Sequence, residues 1–250
     1  MDISTIKDSL GAALAGAPSP LAAADSLCRA CVDLLGIDGA SVSLMDTGAL
    51  PGTFGSSSEL SRMLDELQFT YGQGPCLDAV ATGRPVVVED LNSPEETRWP
   101  ALSQALLGEG IQAVYALPVA VARTPIGALD LYRHSSGPLG EAALAGGLWA
   151  ADLASLPLLD LMASATDWEA RSKDLDSWEE LASLERVEVY QATGMIMAAL
   201  RVTTADALVR LRAYAIAHAL TASAVAYKII KRELVITDEW GSPDHEAGAR

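Results

Sequence analysis

Cys28-Arg-Ala-Cys31 is the first spacing in this chain that could do chemistry, because two thiols three residues apart form a redox pair or half of a zinc site. No second cysteine pair and no histidine lies nearby, so four metal ligands cannot be collected locally. On a helix the same spacing puts both thiols on a similar face, where cysteine serves as a small core residue. Cys76, after Gly74 and Pro75, reads as packed in the same way. His134, His218 and His245 sit in separate segments, which leaves a nucleophile without a base. The carboxylates are numerous but scattered, and spacing alone singles out no pair for acid–base work. Gly72-Gln-Gly74 is too short to cradle a phosphate. No catalytic set emerges, and the expectation is a protein that is not an enzyme and holds no metal.

Charge is more informative than any of these. The 250 residues carry a formal net charge of -16, so the chain as a whole repels phosphate backbones and anionic membranes. From Leu184 to Ile236, however, seven basic residues face four acidic ones, a local +3 within a chain whose remainder is -19. The seven are Arg186, Arg201, Arg210, Arg212, Lys228, Lys231 and Arg232. A chain this acidic that concentrates positive charge in one segment points to an acidic partner surface or a nucleic acid there.

The elements that must position these residues fall into two groups. Ala40–Met45, Arg84–Val88, Val114–Val119 and Ile126–Tyr132 read as strands. The first alternates small or polar residues with apolar ones as a half-buried strand does, and the short connections favour antiparallel pairing. Leu21–Leu35 puts Leu27, Cys31, Leu34 and Leu35 on one helical stripe; Ser56–Leu67 does the same with Leu60, Met63, Leu64 and Leu67. Leu139–Met162 is an apolar helix that Pro157 should kink or end. Asp167–Glu180 spaces Trp168, Leu175 and Trp178 in a short coiled-coil-like pattern, equally readable as a solvated linker helix. Beyond it the chain reads as all helical. Thr203 or Thr204 can cap a second helix with Asp206 in its first turn, and Thr221 can cap a third, striped by Val225, Ala226, Ile229 and Ile230. The expected class is α+β, an antiparallel sheet flanked by helices, then a helical linker and a three-helix bundle.

The N-terminus lacks the basic start of a signal peptide. Ala142–Ala151, the longest apolar run, is well short of the roughly 18 residues of a membrane span. Three cysteines suggest no disulfide framework. The default expectation is a cytoplasmic protein without a membrane partner.

Two stretches resemble known families. Tyr71-Gly-Gln-Gly-Pro-Cys-Leu-Asp-Ala-Val80, Gly83-Arg-Pro-Val-Val-Val-Glu-Asp-Leu91, Gly110-Ile-Gln-Ala-Val114 and Ile126-Gly-Ala-Leu129 resemble a GAF domain over roughly Leu21 to Leu161. That resemblance implies a small-molecule-sensing fold, although the signature of its cyclic-nucleotide-binding members is not found, so any ligand is unidentified. Tyr190-Gln-Ala-Thr-Gly-Met-Ile-Met197, Asp206-Ala-Leu208, Leu211-Arg212 and Val225-Ala226 resemble an ANTAR domain, with Ala192, Gly194, Ala207 and Ala226 at its small-residue positions. This second resemblance implies a three-helix RNA-binding antiterminator that acts as a homodimer on mRNA hairpins. Small residues there would let the helices approach closely.

The joint between the second and third helices, basic in that family, here reads Ala217-His-Ala-Leu-Thr221. RNA contact then rests on His218 together with Arg201, Arg210, Arg212, Lys228, Lys231 and Arg232 for phosphates, and on Tyr190 and Tyr214 for base stacking. The resulting plan is an N-terminal segment (1–20), a GAF-like sensor (21–165), a helical linker (166–183), an ANTAR-like domain (184–236) and a tail (237–250). The open alternative is a protein-interaction or dimerisation module whose basic helices dock on an acidic surface.

Overall fold

A computed structural model describes residues 2–44, 52–166 and 186–237. The expected linker helix Asp167–Glu180, the strand end at Met45 and the tail from Asp238 onward lie outside the described residues. The chain divides into two compact units, the second beginning at Arg186 and also including Phe69–Gly72.

Among the described residues the first unit has five strands, β1 (Gly39–Leu44), β2 (Thr53–Ser56), β3 (Val86–Val88), β4 (Ala113–Val121) and β5 (Thr124–Arg133). They are ordered β2-β1-β5-β4-β3, and every neighbouring pair is antiparallel, as the short connections predict. One face of this sheet carries Ala40, Val42, Tyr115, Leu117, Leu129 and Leu131, which pack with the helices into the main apolar core. The helices on that side are α1 (Ile3–Leu14), α2 (Pro20–Leu35) and α6 (Glu141–Thr166). α2 begins cleanly because Ser19 accepts a hydrogen bond from the Ala22 amide at 3.3 Å and Pro20 occupies the first turn. It stops at Gly36, whose φ of 66° is left-handed and easy only for glycine.

Pro157 does not end α6. The helix continues to Thr166, because burial of Ala154 and Leu158 on either side outweighs the lost backbone bond. Its segment Glu141–Asp160 is 20 residues long with mean hydropathy 1.4, which meets the length and composition of a membrane span. Here it packs along the sheet, with Ala150, Ala151 and Ala154 buried.

Sequence pattern misses α1, β2, α4 (Pro75–Thr82) and α5 (Pro100–Gly108). α1 anchors itself on the core with Ile6 and Leu10, four residues apart, too few to register as a stripe. α4 and α5 are eight and nine residues long, below the window in which helical periodicity is legible.

Two expectations are reversed by burial. β1 is buried at all six positions, so its polar side does not face water. α3 (Glu59–Tyr71) buries Ser61, Leu64, Asp65 and Gln68, while the apolar Leu60, Met63 and Leu67 are only partly covered. Both reversals have one cause: the polar face of the sheet and the polar face of α3 satisfy each other's hydrogen bonds.

The second unit contains α7 (Val187–Leu200), α8 (Thr204–Ala217) and α9 (Ala222–Ile230). Thr203 caps α8, accepting from the Asp206 amide at 3.2 Å, and Thr221 caps α9, accepting from the Ala224 amide at 3.2 Å. Ala192, Ala207 and Ala226 are fully buried where the helices meet. Gly194 is not part of this close approach: a Cβ there would meet nothing within 4 Å. Its glycine therefore only weakens α7, and Gly194→Ala is expected to stabilise the unit by about 1 kcal/mol. A urea midpoint that falls on this substitution would show that the position serves close packing after all.

Candidate functional site

The polar layer of the first unit gathers its residues from five elements. Strand alternation places Ser41 and Ser43 of β1 on the same side as Asp130 and Tyr132 of β5, with Ser41 directly opposite Asp130. The one-turn spacing of α3 aims Asp65 and Gln68 at that side. Asp65 accepts hydrogen bonds from the Ser43 hydroxyl on one oxygen and from the Thr53 hydroxyl on the other, the latter at 2.6 Å. The Gln68 amide nitrogen donates to Asp130 Oδ2 at 2.6 Å, and its carbonyl oxygen accepts from the Cys76 backbone amide at 2.9 Å. Gln68 thus ties the start of α4 to the central strand. Tyr132 donates to Asp130 Oδ2 at 3.4 Å, and its hydroxyl lies 3.0 Å from Ser41 Oγ.

Two buried carboxylates therefore share one layer. Burial pushes the Asp130 carboxyl up to about 7, and the Asp65 charge adds to this; hydrogen bonds from Gln68, Tyr132 and Cys76 pull the other way. Burial likewise raises Tyr132 well above its ordinary value, helped by the charges of Asp130 and Asp65. The Cys76 sulfur and one carboxylate oxygen from each aspartate lie within 4.8 Å of one another. Such a set can hold a proton near neutrality, donate or accept hydrogen bonds, or ligate a cation.

Sequence spacing does not find this site, because Asp65 and Asp130 belong to distant elements. One signal was present: Asp130 is a lone charge in the otherwise apolar run Ile126–Tyr132. Cys28 and Cys31, by contrast, are both fully buried in the apolar core on the far side of the sheet. Burial raises Cys28 well above the ordinary thiol value and Cys31 to about 12, so neither supplies thiolate.

A family model for the GAF domain matches residues 18–148, more than half of the chain. The chain belongs to the GAF domain family. Among solved structures, this GAF fold is similar to the GAF domain of a phosphoenolpyruvate-protein phosphotransferase from Coxiella burnetii, with 16% identity and a TM-score of 0.53. That match covers 67% of this chain and 98% of the other. It is also similar to the corresponding GAF domain from Acinetobacter, at 14% identity and a TM-score of 0.51, covering 67% of this chain and 100% of the other. No curated protein matches the sequence. The polar layer lies within the GAF-matched residues, so the candidate sensing site and the family assignment fall on the same unit.

The residues expected to contact RNA all lie in the second unit. Lys228, Lys231 and Arg232 cluster in sequence at the C-terminal end of α9 and are exposed, with the Lys231 ammonium 5.7 Å from the Tyr227 ring centre. Arg201 is exposed in the α7–α8 turn. Tyr190 is 42% exposed on α7. Arg210 and Arg212 are half-buried on α8, and Arg212 stands 4.7 Å from the Phe69 ring centre. Tyr214 and His218 stack on each other at 3.9 Å, which already covers one face of each ring.

Proposed function

We propose that this protein is a cytoplasmic, signal-responsive regulator rather than an enzyme, in which the GAF domain senses a small molecule or a protein signal and the C-terminal three-helix unit binds RNA. In this reading the second unit is an ANTAR domain that works as a homodimer on hairpins in nascent mRNA and prevents a terminator from forming. The observation that carries the reading is the exposed cationic end of α9, Lys228, Lys231 and Arg232, in a chain of net charge -16. Phosphate contact is a function that rewards such a local reversal of charge, since each neutralised phosphate releases counterions. Exposed Tyr190 supplies a ring for an unpaired loop base. Half-buried Arg210 and Arg212, and the mutually stacked Tyr214 and His218, contribute through the shape of α8 as much as by direct contact.

The test is a salt titration of full-length protein on a short RNA hairpin and on a duplex of equal length. The expected result is tighter binding to the hairpin. Lys231→Ala and Arg232→Ala should each weaken that binding and reduce the slope of log affinity against log salt by about 1. Equal or negligible binding to both RNAs, with unchanged slopes in the variants, would overturn the RNA reading.

A second reading, a protein-docking or dimerisation module, is favoured by a separate observation. Val209 and Tyr227 are 63% and 56% exposed on the same unit, two large side chains left in water. That reading predicts a concentration-dependent oligomer lost on Val209→Asp, with RNA irrelevant to it.

A further inference from the structure

The polar layer of the GAF domain holds a carboxylate oxygen that its own donors do not satisfy. Asp130 is fully buried, and its Oδ1 accepts no hydrogen bond from an N–H or O–H donor among the described residues. A buried carboxylate oxygen without such a donor is costly unless something else meets it. The groups that act on Asp130 most strongly are a carboxylate, an amide, a phenol and a thiol, and none of them is a cation.

We propose that Asp65, Cys76 and Asp130 bind one divalent transition-metal ion of borderline softness, of which zinc is the type. The three donor atoms come from α3, the first turn of α4 and β5, and lie within 4.8 Å of one another. Tetrahedral bonds of roughly 2.0–2.3 Å to oxygen and sulfur put ligand atoms about 3.5 Å apart. The set therefore has to close by little more than about 1 Å. A thiolate beside two carboxylates selects a borderline ion over calcium or magnesium, which take oxygen alone.

The supporting shell is already in place. Ser43 and Thr53 hold Asp65, Gln68 and Tyr132 hold Asp130, and Gln68 also holds the Cys76 backbone. Outer partners of this kind orient ligands and tune their basicity. Binding replaces protons with the ion: the Cys76 S–H proton and any proton on the aspartate pair leave to solvent, and metal–sulfur and metal–oxygen bonds form. The metal's oxidation state does not change. Three protein ligands leave a fourth position, for water or one small donor molecule. This inference stands on the GAF unit alone and is independent of RNA binding.

The experiment uses full-length protein freed of metal by chelator, then titrated with Co2+ and Zn2+, both in the native state and during refolding from urea. The expected result is one Co2+ per chain with a thiolate-to-cobalt charge-transfer band, displaced by Zn2+. Cys76→Ser removes the band, whereas the double variant Cys28→Ser/Cys31→Ser keeps it. Thr53→Val, which touches only the outer shell, weakens Co2+ about tenfold. Asp130→Asn, nearly the same shape as the native residue, weakens it further and serves should Cys76→Ser not fold. No band under either loading protocol overturns the proposal. So does a band that survives Cys76→Ser, or Co2+ affinity unchanged in Asp130→Asn.

Discussion

Gly127→Ala is expected to destabilise the GAF domain by about 3 kcal/mol or more, beyond the usual range for a single added methyl. Gly127 is buried in β5, the middle strand of the sheet, where it pairs with Leu44 on one side and Val119 on the other. A Cβ there would sit 2.2 Å from the Ser43 carbonyl oxygen and 3.3 Å from the Leu44 Cα. Both are backbone atoms of β1, so no side chain can rotate away and the strands themselves must part. A loss of that size is a large fraction of the roughly 5–15 kcal/mol that a domain has in total. Urea unfolding followed by circular dichroism reads it directly, with Gly194→Ala as a control of opposite sign. A shift below about 1 kcal/mol would mean the β1–β5 pairing is looser than described.

Asp130 produces the second large effect, and it depends on pH. Its folded-state value of about 7 lies above the ordinary 3.8, so the folded protein holds the proton more tightly than the unfolded chain does. The stabilisation from this group is complete below about pH 4 and is lost as pH rises through 7. At about 1.4 kcal/mol per unit the ceiling on that loss is about 4 kcal/mol. In metal-free protein, Asp130→Asn imitates the neutral form at every pH. Its stability relative to wild type should therefore climb between pH 4 and pH 8, and the variant should be the more stable protein at pH 8. Urea midpoints for both proteins across that range, in chelator, test this. Parallel profiles would place the charge of Asp130 in a wetter setting than its burial indicates.

The sheet was legible in the sequence because alternation and β-branched runs survive without knowledge of neighbours. Four of five strands announce themselves, and only β2, Thr53–Ser56, is too short and too polar to do so. The caps at Thr203 and Thr221 were legible for a similar reason, since a cap is a local bond between residues three apart. The polar layer was not. Ser41, Ser43, Asp65 and Gln68 each look like surface residues of an amphipathic element, and only their meeting turns two polar faces into one buried interior. The pair Asp65 and Asp130 is separated by about half of the domain's sequence, so no local window could bring them together. The histidines and the Cys28–Cys31 pair drew attention by residue type, yet the buried carboxylate in an apolar strand was the better sign.

The two shortest strands of the sheet, β2 with four residues and β3 with three, lie at its two borders. A border strand offers unpaired amides and carbonyls to any other chain that reaches it, and long flat borders are where aggregation starts. Here each border is brief enough that two copies could zip together over only a few residues before the pairing runs out. At high expression the protein should accordingly stay in solution rather than grow fibres edge to edge, with its strongly acidic charge keeping copies apart over the same short range.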